Sequence, residues 1–228
     1  ARIELDHVGL NHLTWELGVR IRHADGSSEE VLDRLIDDHL DELVAEIELP
    51  ARLLQSERVI PSYYLRYFYE HDALVREAAT APSRAHAVAE IESELLAIYS
   101  DETVTAKPDL LAQRGGAFYS EAAIGLLTSV LGTAGAADHV VNLRNHGTLP
   151  FLPDEAVIEV RARVDAAGAV AQPLPPVPPL ARGLISAVAA YEELGIQAAI
   201  HGGRERVVRA LLAHPLIGQI ETAEALAD

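Results

Sequence analysis

Ala156-Val157-Ile158-Glu159-Val160-Arg161-Ala162-Arg163-Val164 alternates apolar with polar side chains for most of its length, the signature of a half-buried strand. Asp165-Ala166-Ala167-Gly168 comes next as a turn into a third strand, and His139-Val140-Val141-Asn142-Leu143 precedes it as a first. No βαβ alternation surrounds these segments, so a parallel sheet is not indicated. The expected fold is α+β: long helices packed around a small, mainly antiparallel sheet built from about residues 139–172.

The helices are read outward from that sheet. Residues 26–49 read as one helix. Ser27 and Glu30 have capping-box spacing, Val31, Leu32, Leu35, Ile36, Leu43, Val44 and Ile47 keep helical spacing, and Pro50 is the stop. Its acidic residues fall mostly on the other faces and read as a solvated surface. Ser83 to Tyr99 forms a second helix with Pro82-Ser83 as its start. An apolar helix ends near Leu131, and another runs to about Ile200, ends at Gly202 and precedes Arg204–Ala213. Between Asn142 and Pro153, prolines and polar residues indicate an ordered surface loop. Five prolines between Pro173 and Pro179 make a stiff spacer.

The chain has 228 residues, 49% of them hydrophobic and 23% charged, which suffices for a packed core. A net charge of −17 argues against nucleic acid and against anionic membranes. There is no cysteine, so thiolate chemistry and disulfides are excluded within this chain. No apolar run is long enough to span a bilayer and no signal peptide opens the chain, so the expected location is the cytoplasm. The sequence starts at Ala1, lacks methionine, and reads as a domain cut from something longer. Gly115-Gly116 and Gly202-Gly203 lack the spacing of the dinucleotide fingerprint; the first pair suggests a tight turn or close backbone approach.

Three stretches carry candidate chemistry. Gly9-Leu10-Asn11-His12-Leu13-Thr14-Trp15 succeeds a short strand at Ile3–Val8, which puts Asn11 and His12 on the loop after that strand. There an imidazole can ligate a divalent metal or simply pack beside the tryptophan. Pro61 to Tyr69 holds four of the seven tyrosines. If that segment is helical, Tyr64, Tyr67 and His71 share a face, which fits an aromatic core stripe, a subunit contact or a phenolic base. A phenol with an ordinary pKa of about 10 needs a nearby cation to act as a base. Arg84 sits in the first turn of its helix, where a positive charge opposes the dipole unless an anion binds there.

In this order the segments resemble the C-terminal half of glycoside hydrolase family 4. The matching motifs are GLNHLTW (9–15), PSYYLRYFY (61–69), SRAHAV (83–88), RGGAFYSEAA (114–123), N-x-x-N-x-G-x-x-P-x-L-P (142–153), YEEL (191–194) and ALLAHPL (210–216). The RGGAFYSEAA form most resembles the 6-phospho-β-glucosidase branch. The resemblance implies a C-terminal domain like that of lactate and malate dehydrogenases, covering residues 1–228, with the NAD-binding Rossmann domain outside this chain. It implies NAD and a divalent metal, manganese by preference, as cofactors of the full-length enzyme, with NAD not held by this chain alone. It implies a phosphorylated disaccharide or glycoside as substrate and a homo-oligomer, dimer or tetramer. The family's chemistry is oxidation at C3 by NAD, removal of the C2 proton, elimination at C1, then water addition and re-reduction; it is an exception among glycosidases. By motif, His12 matches the metal-ligand histidine, Tyr64 the base that takes the C2 proton, Asn11 a neighbour of the substrate, and Arg84 a substrate contact on the 6-phosphate side. No cofactor-binding residue is assigned. The family's cysteine ligand is missing, so the isolated chain is expected to be inactive. Two other readings are open on the residues: a non-catalytic oligomerisation or binding module that retains only the fold, and a dehydrogenase of the lactate/malate type.

Overall fold

The computed structural model describes residues 1–81, 83–114, 119–133 and 135–228. The strands are β1 (Arg2–Leu10), β2 (Leu13–Arg22), β3 (Ser28–Glu30), β4 (Ile60–Pro61), β5 (Ala137–Arg144), β6 (Val157–Asp165) and β7 (Gly168–Ala171). The helices are α1 (Leu32–Asp38), α2 (Leu40–Ile47), α3 (Ala51–Glu57), α4 (Arg66–Tyr69), α5 (His71–Ala78), α6 (Arg84–Tyr99), α7 (Leu111–Arg114), α8 (Tyr119–Val130), α9 (Pro179–His201), α10 (Arg204–Ala213) and α11 (Ile220–Ala227). A 3-10 turn at Tyr63–Leu65 leads into α4. The α+β class is as expected, and every strand pairing among the described residues is antiparallel.

The sheet is larger than residues 139–172. Among the described residues its seven strands run β3-β2-β1-β6-β5, with β4 on β2 and β7 on β6. Half of it therefore comes from the N-terminal segment, where the sequence signalled only one strand at Ile3–Val8. That strand turns back in a hairpin instead of entering a loop. Leu10 pairs with Leu13, so Asn11 and His12 alone make the turn, and Trp15 lies within β2 opposite Val8. Gly9 is required here, since a Cβ would come within 2.0 Å of the Leu13 carbonyl oxygen.

The single helix expected over 26–49 is also corrected. Residues 28–30 pair with Arg20–Arg22 as an edge strand, which takes Ser27 and Glu30 out of any capping box. Ser27 Oγ instead donates to Asp25 (2.6 Å), and Glu30 Oε1 accepts from the N–H of Leu32 (2.9 Å) and of Val19 (3.2 Å). The remainder breaks at His39 into α1 and α2. The second helix ends in Glu48, whose left-handed backbone stops it before Pro50, and Pro50 opens α3. Leu32 and Ile36 still bury the face that the spacing indicated.

Between Leu5↔Val19 and His7↔Glu16 the register slips. Asp6 alone of β1 faces Leu17 and Gly18 of β2, which makes a bulge at that pair. Side chains directly opposite share a face. Val8, Leu10, Leu13, Trp15, Ile158 and Val160 thus build one core with Ala181 and Ile185 of α9. Leu5, Val19 and Ile21 build a second, with Val31, Leu32 and Ile36. Each fully buried aliphatic side chain contributes on the order of 1.5–3 kcal/mol.

The join between the two halves of the sheet is narrow. β1 pairs with β6 only at Val8↔Val160 and Gly9↔Glu159, because β7 occupies the rest of that edge. Side chains reinforce it. Arg161 reaches Asp6 (3.4 Å) and Glu4 (3.7 Å). His7 donates from Nδ1 to Glu16 (2.6 Å) and from Nε2 to Glu159 (3.0 Å), so both ring nitrogens carry protons. Burial opposes that charge, but the hydrogen bonds to Glu159 and then Glu16 outweigh it, and the His7 pKa is pushed up to about 9.

A histidine raised above its unfolded value of about 6.5 stabilises the fold fully below that pH and loses its contribution as pH rises through about 9. The shift corresponds to roughly 3 kcal/mol. Denaturant unfolding is expected to show stability falling between about pH 7 and about pH 10, with a much flatter profile in His7→Gln. Parallel profiles for the two proteins would rule out His7 as the source.

Candidate functional site

His12 and Tyr64 are 52 positions apart in sequence and meet edge to face, with ring centroids 4.7 Å apart and planes at 63°. His12 is the second residue of the β1–β2 turn and has φ +67°, a left-handed backbone that favours glycine. Its Nδ1 is hydrogen-bonded to Asn11 Oδ1. In the neutral ring that bond places the proton on Nδ1 and presents Nε2 as the lone-pair nitrogen, the form in which an imidazole ligates a metal. Tyr64 comes from the 3-10 turn after β4, which pairs with Trp15 and Glu16 of the same hairpin. Tyr64 is 46% exposed, open to a ligand rather than buried as core.

The surrounding tyrosines differ in role. Tyr67 lies nearly parallel to Tyr64 at 6.5 Å, on the face they were expected to share, whereas His71 bonds to Asp72 at the start of α5. The Tyr63 hydroxyl accepts from Arg66 Nη1 at 2.7 Å. Tyr69 turns inward; burial and the nearby Glu57 push its pKa up to about 12, so it is held neutral.

Arg84 has hydrogen-bond partners of its own. It stands in the first turn of α6, capped by Ser83, and Nη2 donates to the carbonyls of Gln113 (2.9 Å) and Arg114 (3.2 Å). Those carbonyls anchor the guanidinium from one side. Among the described residues Arg84 makes no hydrogen bond to Asn11, His12 or Tyr64. The double glycine at 115–116 lies outside the described residues.

His12 is the metal-ligand candidate that the motif resemblance gives. Among the described residues, no three His, Asp or Glu side chains are arranged around a common ion position. In its neutral form protonated on Nδ1, His12 offers one nitrogen to a metal. A cavity of about 460 Å³ is lined by none of these residues. It lies between the 151–157 segment and α9, lined by Phe151, Val157, Ala189 and Ile196, with Glu192 raised in pKa by burial.

The sequence pattern did not reveal two residues. Ser62 bonds to both the His12 and Tyr64 segments; its place after Pro61 and before two tyrosines signalled only a turn. Asn145 is fully buried and holds the 142–153 segment from within, its amide donating to the carbonyls of Leu149, Leu152 and Pro153 and its Oδ1 accepting from Leu149 N–H.

The left-handed turn gives a test of whether the imidazole serves the fold. His12→Gly removes the ring and relieves the backbone, so unfolding stability is expected to stay within about 1 kcal/mol of the parent. A much larger loss in a denaturant titration would mark His12 as structural.

Known proteins share this arrangement of segments. The chain is 31% identical to the 6-phospho-beta-glucosidase BglT of Thermotoga maritima over its whole length, and 28% identical to a 6-phospho-beta-glucosidase of Escherichia coli over 99% of it. It spans about half of each, 54% and 52%. A Thermotoga maritima 6-phospho-beta glucosidase structure with NAD and glucose-6-phosphate superposes with a TM-score of 0.85 over 99% of this chain and 52% of that one, at 31% identity. Another, with manganese, NAD+ and glucose-6-phosphate, gives 0.86 at 32% identity over 98% of this chain and 52% of that one. With the profile of the family 4 glycosyl hydrolase C-terminal domain matching residues 7–217, the chain belongs to that family, as its C-terminal domain.

Proposed function

We propose that this chain is the substrate- and metal-binding domain of a 6-phospho-β-glucosidase that cleaves phosphorylated glycosides through oxidation at C3, deprotonation at C2 and elimination. The supporting observation is the His12–Tyr64 contact: a histidine in a conformationally costly turn, in a metal-ligating tautomer, against an exposed phenol. Relatives solved with NAD, manganese and glucose-6-phosphate support the same reading. The nucleotide domain belongs to the rest of the full-length protein, and a second copy, in a dimer or tetramer, belongs to the same reading.

When bound, NAD supplies reversible oxidation at C3 and the divalent metal supplies Lewis-acid polarisation of the sugar oxygens. The chain's own residues then have separate tasks. His12 offers Nε2 as one metal ligand, and Asn11 fixes its tautomer at the edge of the substrate site. Tyr64 is the base that takes the C2 proton onto its phenolic oxygen, and the electron pair left at C2 expels the leaving group from C1. Arg84 contacts the 6-phosphate side of the substrate; its engagement with the carbonyls of Gln113 and Arg114 holds the guanidinium in place.

Tyr64→Phe in the full-length protein removes one exposed oxygen, so stability is expected to be unchanged. Turnover of a 6-phosphoglucoside should drop by roughly 10²–10⁴-fold, and solvent exchange of the C2 proton should slow with it. Parental turnover per folded molecule in that variant would remove Tyr64 from the chemistry.

A further inference from the structure

We propose that Ser62 is a positioning residue that sets the separation of the His12 and Tyr64 side chains; its consequence for chemistry rests on the function proposed above. Ser62 stands between β4 and the 3-10 turn. Three of its bonds serve the site. Its backbone N–H donates to Thr14 O (2.9 Å), its hydroxyl donates to His12 O (3.0 Å), and the same oxygen accepts from the N–H of Tyr64 (3.2 Å). A serine hydroxyl has one proton to give, and here it goes to the residue carrying the imidazole. A lone pair takes the backbone N–H of the residue carrying the phenol. One oxygen atom therefore touches both segments, bridging 50 positions of sequence to His12 and two to Tyr64.

The local backbone makes this bridge separable from folding. If the side chain is removed, the bond to Thr14 remains, and so does the bond from Leu65 N–H to the Ser62 carbonyl (2.9 Å). β4 keeps its pairing with Trp15 and Glu16. Ser62→Ala is thus expected to leave the segment in place but to free the His12 carbonyl and the Tyr64 N–H from their common partner. The extended backbone at Ser62, φ −63° and ψ 149°, suits a β-branched residue, so Ser62→Thr keeps the hydroxyl at the same site.

The experiment uses the full-length protein with its histidine rings labelled with carbon-13. The His12 signal is assigned by its loss in His12→Gln, and the Tyr64 ring packed against it displaces that signal. In Ser62→Ala the signal is expected to move toward that of an unpacked imidazole while the unfolding midpoint changes little. Manganese Kd should rise and C2-proton exchange should slow, each about tenfold, the scale of a small misplacement of reacting groups. Ser62→Thr should restore all three. An unmoved His12 signal in Ser62→Ala, or a threonine variant that behaves like alanine, overturns the proposal. If the signal moves but His12→Gln and Tyr64→Phe leave manganese binding and exchange intact, the positioning stands and the proposed function fails.

Discussion

Two backbone pairs, Val8↔Val160 and Gly9↔Glu159, join the N-terminal strands to the C-terminal ones, and the two-part sheet depends on that seam. A two-residue ladder is too short to hold a sheet together by backbone bonds alone. Apolar burial does part of the work, since Val8 and Val160 are inaccessible to solvent and pack with Ile185 of α9. Charge does the rest. The His7 imidazolium spans β1, β2 and β6, and Arg161 ties β6 to Glu4 and Asp6. A buried charge is costly unless paired, and here each charge at the seam has partners on a neighbouring strand. The seam at Val8 and Gly9 lies just below the turn that carries His12.

The α+β class and the later strands were legible because β6 alternates cleanly and β7 comes after a turn of the right composition. The N-terminal half of the sheet was obscured by two features. Asn11-His12 is a two-residue turn without the usual Asn-Gly chemistry, so Leu10 and Leu13 did not announce a hairpin. The bulge at Leu17-Gly18 then shifts the alternation of β2, which blurs its period. Residues 28–30 joined the next helix in the reading because Ser27 and Glu30 mimic a capping box; pairing with β2 overrides that local preference.

The site divides along similar lines. Asn11, His12 and Tyr64 stood out as residue types whose chemistry exceeded what packing needs, and motif resemblance gave each a role. Their contact was not legible, since nothing in the spacing of Pro61 to Tyr69 shows that β4 pairs with Trp15. Ser62 was invisible because its importance lies in which carbonyl and amide groups it reaches. Arg84 was legible as a cation wanting a negative partner, and carbonyls at the end of α7 anchor it from one side.

The bulge in β2 has a further consequence for how this chain tolerates change in length. Upstream of it, Leu13 and Trp15 face one core; downstream, Val19 and Ile21 face the other, while Arg20 and Arg22 meet Asp6 and Glu4. Deleting either Leu17 or Gly18 would leave a regular ladder with Val19 still opposite Leu5, whereas deleting a residue elsewhere in β2 would turn side chains over or consume the bulge. Gly18 also leaves room for the Asp6 carboxylate, which a Cβ would meet at 2.5 Å. The bulge therefore lets β2 carry one residue more than β1 while its later side chains keep their faces. Insertions and deletions belong at Asp25-Gly26, where a Cβ on the glycine would meet no neighbour within 4 Å.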